Sequence, residues 1–316
     1  MIIVCPHCSK RHKVNLDSVR PEILSGQNVK AKCRACGNRF SFPADRLKNV
    51  YTPSPQSPHV DPVQKDKKSV RKICVTLSKG GVGKTTTSVN LAAGLALAGN
   101  KVLLVDTDTQ GQSSYMLGKT KDTGLKEFLT GEMPLEECIQ EARANLFLLS
   151  GGRSLAGFNK IISQKNFGGE WVLSEAMVPV ENLYDYIIFD TAPGWNQLIV
   201  NVLFYAEQVL IPVELEFMAL QGLSEFMKTL NSIRKYHREV SLKYIVPTFL
   251  DKRTKGSGIF LSQLEKLYPE HICTPIRYCQ FLSETTSGGK TIFEYAPGST
   301  GSADYRELVK EVAGPD

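Results

Sequence analysis

Three groups of residues in this sequence have the types and spacing to do chemistry. The run Lys79-Gly80-Gly81-Val82-Gly83-Lys84-Thr85-Thr86 stands between an apolar, β-prone segment, Ile73 to Leu77, and a helix-like segment, Thr87 to Ala98. A glycine loop that opens a helix aims backbone N–H groups at a bound phosphate, because glycines permit an approach that side chains block. Lys84 is then placed for the β- and γ-phosphates of a nucleotide, and the Thr85 hydroxyl for Mg²⁺. Ser78 occupies the position where the usual GxxxxGK pattern has its first glycine, and Lys79 beside Gly80 marks a deviant form of the loop, KGGVGKTT. A glycine-rich turn can also be no more than a tight connection, so this reading needs partners.

The partners are carboxylates at strand ends. The apolar run Val102 to Val105 ends in Asp106-Thr107-Asp108-Thr109-Gln110-Gly111, and Tyr186 to Phe189 ends in Asp190-Thr191-Ala192-Pro193-Gly194, in the manner of a Walker B site. Open α/β sheets bind ligands at the C-terminal edge of their strands. Either aspartate alone could simply cap the following helix. Together with the glycine loop they read as a site for Mg²⁺ and a nucleotide, with Asp106 and Asp190 as its carboxylates.

The third group is Cys5-Pro6-His7-Cys8 and Cys33-Arg34-Ala35-Cys36-Gly37, two CxxC pairs. Four thiolates in this arrangement suit a structural zinc, whose closed ligand set leaves no position for a substrate. Gly37 supports the tight turn after the last cysteine. A redox dithiol is the other reading of a CxxC pair, and His7 and His12 are substitute ligands. The other four cysteines are scattered singly, which suits a reducing compartment better than a disulfide framework.

Short apolar runs separated by helix-like segments must position these groups: 73–77, 102–105, 186–189, 209–213 and 244–247. Their alternation with helices predicts an α/β fold, a parallel sheet covered on both faces. The 316 residues suggest about two domains. We read 1–43 as a small zinc ribbon, 44–70, with Pro53, Pro55, Pro58 and Pro62, as a flexible tether, and 71–316 as the α/β domain. Charge follows this division. Residues 1–72 hold 15 Lys and Arg against 5 Asp and Glu, while the rest of the chain is net −4. Such asymmetry points to a separate interaction segment. No run approaches the length of a membrane span, since Leu198 to Val213 is broken by Asn201, Glu207 and Gln208. The N-terminus does not read as a signal peptide, so a cytoplasmic location is expected.

With these motifs the chain resembles the ParA/MinD family of deviant-Walker P-loop ATPases, and more closely its ParA branch. The resemblance spans about 71–312 and includes VLLVDTDTQG, YIIFDTAPG, VLIPVELEFMALQGL and the C-terminal run from Leu282 to Leu308. It departs from the family at Thr109 and Ala192, where proline is common. The resemblance implies a nucleotide-sandwich homodimer, with ATP as the dimerisation switch. Lys79 would cross to the phosphates of the partner subunit, Lys84 and the loop Gly80 to Thr86 would hold ATP, Asp108 would orient the attacking water, and Asp106 and Asp190 would sit near Mg²⁺. Slow basal hydrolysis that rises with a partner is expected.

The resemblance further implies non-specific DNA binding in the ATP state, with Lys252, Arg253, Lys255 and Arg277 as candidate contacts and a nucleoid-associated location. A commonly basic position is here Phe281; Lys228, Arg234, Lys235 and Arg238 are possible compensating charges. An activating partner of ParB or cargo-adaptor type is expected, acting in segregation or positioning. Membrane targeting is not expected, because Tyr305, Leu308, Val309 and Val312 have the spacing of a helix packed on its own domain. The alternative function is a nucleotide-gated regulatory or binding module whose basic zinc ribbon engages a promoter or a protein partner.

Overall fold

The computed structural model describes residues 2–8, 11–13, 28–33, 35–43, 69–119, 123–158, 162, 168–216, 218–251 and 253–314. They form two compact units, Met1–Lys65 and Asp66–Asp316. The division falls within the stretch read as a tether, of which 44–68 lies outside the described residues.

The first unit is built from two hairpins. Strand β1 (Ile2–Val4) pairs antiparallel with β2 (Arg11–Lys13), and β3 (Asn28–Lys32) with β4 (Arg39–Pro43). Each CxxC pair lies between the two strands of one hairpin. At the second, Gly37 donates to the Cys33 carbonyl at 2.9 Å and takes φ +77°. That left-handed conformation is the reason for a glycine there.

The second unit contains a seven-stranded sheet in the order β11-β10-β5-β9-β6-β8-β7. Its strands are β5 (Arg71–Val75), β6 (Val102–Asp106), β7 (Ile139–Arg143), β8 (Leu146–Leu149), β9 (Tyr186–Asp190), β10 (Gln208–Glu214) and β11 (Ser241–Thr248). Six run parallel. The edge strand β7 is antiparallel to β8, so the sheet is mixed but mostly parallel, as expected of this α/β fold. The two are joined by a reversal at Ala144-Asn145, where Asn145 takes φ +62°, a conformation asparagine tolerates better than most residues.

Alternation along the strands divides the core into two layers. Ile73, Val75, Leu104 and Ile188 face a cluster containing the helices Lys84–Leu97 and Thr300–Ala313. Cys74, Leu103, Val105, Ile187 and Phe189 face the other, with the helices Gln197–Tyr205 and Ala219–Ile233. Because both faces are covered, β6 and β9 are buried at every residue. Tyr305, Leu308, Val309 and Val312 of the C-terminal helix are all buried, so its apolar face is used within the domain. Among the described residues no helix is long and apolar enough to cross a membrane.

Candidate functional site

Strand order creates the site. In the sheet β5 lies beside β9, and β9 beside β6. The glycine loop after β5, Asp190 at the end of β9 and Asp106 at the end of β6 therefore converge on one edge, with Asp106 directly opposite Asp190 in register. The loop turns into the helix Lys84–Leu97 at Gly83, whose φ of +88° is strained for any residue with a side chain. Its crown is tied down by Thr248, which donates to the Val82 carbonyl at 3.1 Å, and its start by Gly194 N–H on the Ser78 carbonyl at 2.8 Å.

A cavity of about 320 Å³ opens over this edge. Its wall includes Gly80, Gly81, Gly83, Lys84, Thr85, Thr86 and Asp108 on one side, and Phe249, Tyr278, Cys279 and Leu282 on the other. Lys84 is nearly buried and donates to the Lys79 carbonyl at 2.6 Å. Burial pulls its ammonium below the usual lysine range, against the opposing effect of Asp190 and Asp108. Lys79 belongs to the same loop but not to the cavity wall. Its Nζ lies 2.8 Å from Glu214, the last residue of β10, and also bonds Glu216, two residues beyond that strand. Burial acts to lower its pKa, but the two carboxylates outweigh that and raise it.

Asp106 and Asp190 are fully buried. Burial raises Asp106 well above the carboxylate range, and the adjacent Asp190 adds to the effect. Burial pushes Asp190 up to about 6, although hydroxyls of Ser113, Thr85 and Ser88 bond it. Ser113 Oγ donates to Asp190 Oδ2 at 2.8 Å and Ser88 Oγ to Oδ1 at 3.1 Å. Two buried carboxylates held apart from water call for a cation. The donor set of Asp106, Asp190 and the Thr85 hydroxyl is all oxygen, which fits Mg²⁺. Asp108 lines the cavity, with its side chain accepting from Gln110 N–H at 2.9 Å. Its carbonyl accepts from Gly152 N–H at 2.8 Å. A Cβ at Gly151 would stand 2.7 Å from the carbonyls of both Asp106 and Asp108, so this close approach admits only glycine. Ser88, Ser113, Gly151, Glu214 and Glu216 were not singled out from the sequence.

Cys5, Cys8, Cys33 and Cys36 come together, with all Sγ atoms within 4.8 Å of one another. The Cys5–Cys36 and Cys8–Cys33 separations are 3.8 and 3.6 Å. Zinc–sulfur bonds of about 2.3 Å in a tetrahedron require S–S edges of about 3.8 Å, so the set fits that metal.

The DNA candidates are not brought together in the same way. Lys252 and the Lys255 side chain lie outside the described residues. Arg253 is exposed and paired with Asp251, whose carboxyl it holds down at about 2. Arg277 instead lies in the cavity wall, with Nε 3.0 Å from Asp304, a buried carboxylate that also accepts its backbone N–H at 2.9 Å. Lys228, Arg234, Lys235 and Arg238 are exposed. Phe281 is exposed, with its ring 6.3 Å from that of Tyr295.

Comparison with known proteins gives the same assignment as the site. A family profile described as an AAA domain matches residues 70–243. The sporulation initiation inhibitor protein Soj of Bacillus subtilis is 36% identical over 247 residues, covering 76% of this chain and 97% of that protein. The chromosome-partitioning ATPase Soj of Thermus thermophilus is 37% identical over 245 residues, covering 77% and 95%. Among solved structures, cobyrinic acid a,c-diamide synthase from Mycobacterium smegmatis, with a bound ATP analogue and magnesium, superposes with a TM-score of 0.67 at 27% identity, over 77% of this chain and 94% of that one. With a deviant phosphate loop, paired strand-end aspartates and relatives matched over nearly their full length, the chain belongs to the Soj/ParA family of deviant-Walker P-loop ATPases.

Proposed function

We propose that the chain is an ATP-dependent, dimerising partition or positioning ATPase that binds DNA without sequence preference in its ATP state and is released when a partner stimulates hydrolysis. The observation that carries this reading is the division of labour between the two loop lysines. Lys84 faces the cavity, whereas Lys79 is directed to Glu214 and Glu216 outside its wall. A lysine placed at the phosphate loop but not on its own phosphates is suited to a second subunit. The chromosome-partitioning relatives support the cellular role.

Phosphoryl transfer asks little covalent chemistry of the protein and depends on positioning and charge neutralisation. The loop N–H groups and Lys84 hold and neutralise the β- and γ-phosphates. Thr85, Asp106 and Asp190 would hold Mg²⁺, which when bound neutralises phosphate charge. Asp108 orients the attacking water, and Lys79 of the partner subunit completes the positive surround. Hydrolysis is therefore tied to dimerisation, slow alone and faster with an activating protein of ParB or cargo-adaptor type.

DNA contact is assigned to the loop of Lys252, Arg253 and Lys255, with the exposed Lys228, Arg234, Lys235 and Arg238 adding charge. Arg277 is already committed to Asp304. The four-cysteine unit holds zinc, and its basic surface adds affinity for DNA or for a partner. We place the protein in the cytoplasm, on the nucleoid.

The test is fluorescence anisotropy on a random-sequence DNA duplex with Mg²⁺ and ATP, ADP or no nucleotide, for the full chain and for residues 71–316. ATP-dependent binding that survives truncation supports this reading. Binding lost on truncation favours the alternative, in which the zinc ribbon is the effector and ATP gates its engagement of a promoter or protein.

A further inference from the structure

The loop that follows Asp108 is connected to the magnesium carboxylates by one residue. Ser113 is the second residue of the short helix Gln112–Met116 and is fully buried. Its hydroxyl donates to Asp190 Oδ2 at 2.8 Å, while its backbone N–H donates to Asp106 Oδ2 at 3.1 Å. On the other side of the site, Ser88 of the phosphate-loop helix donates to Asp190 Oδ1 at 3.1 Å. Asp190 is thus held between two helices, by the hydroxyls of Thr85 and Ser88 on the phosphate-loop helix and by that of Ser113 alone on the other. Asp106 in turn accepts the backbone N–H of Asp108 at 2.9 Å.

We infer that Ser113 is a positioning residue for the hydrolytic reaction, fixing Asp190 in the orientation that binds magnesium and coupling that orientation to the Asp108 loop. The inference rests on the Mg²⁺–ATPase reading given above. The physical argument is one of competing orientations. A buried carboxylate turns to whatever donors surround it, and Asp190 has donors on both sides only because Ser113 supplies one from the Asp108 side. Without the Ser113 hydroxyl, Asp190 is held from the phosphate-loop side alone, and the carboxylate is free to rotate toward Ser88. The oxygen facing Asp106 is then misplaced, and the helix after Asp108 keeps only its backbone bond to Asp106. Groups that orient metal ligands in this way commonly change metal affinity or activity by one to two orders of magnitude. Ser114, the neighbouring hydroxyl, has no hydrogen-bond partner among the described residues and serves as the control.

The test measures binding of a fluorescent ATP analogue to the full-length protein as a function of Mg²⁺ concentration, together with steady-state hydrolysis. For Ser113→Ala the expected result is a half-saturating Mg²⁺ concentration about tenfold higher and kcat about tenfold lower, with KM for ATP at saturating Mg²⁺ within about twofold of wild type. Ser113→Thr, which keeps the hydroxyl, is expected to restore the Mg²⁺ response, and Ser114→Ala to leave it unchanged. A Ser113→Ala protein that folds and responds to Mg²⁺ within about twofold of wild type overturns the inference. Should Ser113→Ala fail to fold, Ser113→Cys, with a weak donor of similar size, is read in the same way. A wild-type protein without Mg²⁺-dependent nucleotide binding overturns the ATPase reading itself, an outcome distinct from a normal Ser113→Ala variant.

Discussion

The ammonium of Lys79 lies 2.8 Å from the carboxylate of Glu214 and also bonds Glu216, so the loop lysine assigned to the partner's phosphates is held by its own subunit. Lys79 and Glu214 are 135 residues apart, and they meet because β10 lies next to β5 in the sheet. All three side chains remain partly exposed, which keeps the pairing weak enough to exchange. ATP on the facing subunit would offer Lys79 a denser negative charge than two half-solvated carboxylates. In the proposed dimer, the pairing would set the threshold for dimerisation without preventing it.

Weakening the pair is expected to favour the dimer. In Glu214→Gln/Glu216→Gln, Lys79 loses both ion pairs, and the ATP concentration that gives half-maximal dimer should fall about threefold, the equivalent of roughly 0.7 kcal/mol. Light scattering during an ATP titration measures it. A higher threshold in the double variant would show that these carboxylates act in the dimer interface rather than against it.

The buried aspartates predict an unusual pH dependence for the metal-free protein. With its folded pKa raised to about 6, Asp190 binds protons that the unfolded chain has already released. Its unfavourable contribution is therefore present above about pH 6 and disappears as pH falls toward the unfolded value, so this group makes the metal-free fold more stable near pH 5 than at pH 7. Asp190→Asn should remove that dependence and stabilise the metal-free protein at pH 7 by on the order of 2 kcal/mol. It should also abolish the stabilisation that Mg²⁺ and ATP give to wild type. Urea unfolding between pH 5 and 7.5 reads all three, and an Asp190→Asn variant less stable than wild type at pH 7 would contradict the account.

The two lysine-and-arginine classes of the C-terminal half should separate cleanly. Arg277→Ala leaves the buried Asp304 with only its backbone partner, which should cost about 2 kcal/mol of stability. Arg253→Ala removes only an exposed pair and should leave thermal unfolding unchanged. Its effect belongs in the DNA assay, as weaker ATP-dependent binding and a shallower dependence on salt. Equal loss of stability in both variants would refute the distinction.

The cysteine unit should behave as a metal-dependent fold. Elemental analysis is expected to find one zinc per chain, and Cys33→Ser or a strong chelator should remove it. The amide signals of residues 1–43 would then collapse while nucleotide binding by the other unit stays intact. Retention of those signals without metal would show that the hairpins stand without zinc.

Much of the site was legible because its parts are local in sequence. The phosphate loop is a contiguous pattern, Asp106 and Asp190 terminate apolar strands, and the CxxC pairs advertise their own chemistry. What was not legible depends on strand order and on distant pairings. Ser113 meets Asp190 across 77 residues, and Arg277 finds Asp304 across 27 through the packing of the C-terminal helix. Neither pair has a local signature, since serine after a glycine turn reads as a helix start and an arginine beside aromatic residues reads as a surface cation. The antiparallel edge strand was hidden for a related reason. Ile139 to Arg143 has only one buried residue, so it lacks the apolar run by which the central strands were recognised.

The central claim is that ATP joins two copies of this chain through Lys79. Sedimentation velocity of the full-length protein with Mg²⁺ and either ATP or ADP tests it most directly, for wild type, Lys79→Ala and Lys84→Ala. The account predicts a dimer only for wild type with ATP, monomers throughout for Lys84→Ala because nucleotide is not held, and monomers for Lys79→Ala even though it still binds ATP. A Lys79→Ala protein that dimerises with ATP as wild type does, or a wild type that stays monomeric with ATP, would contradict it.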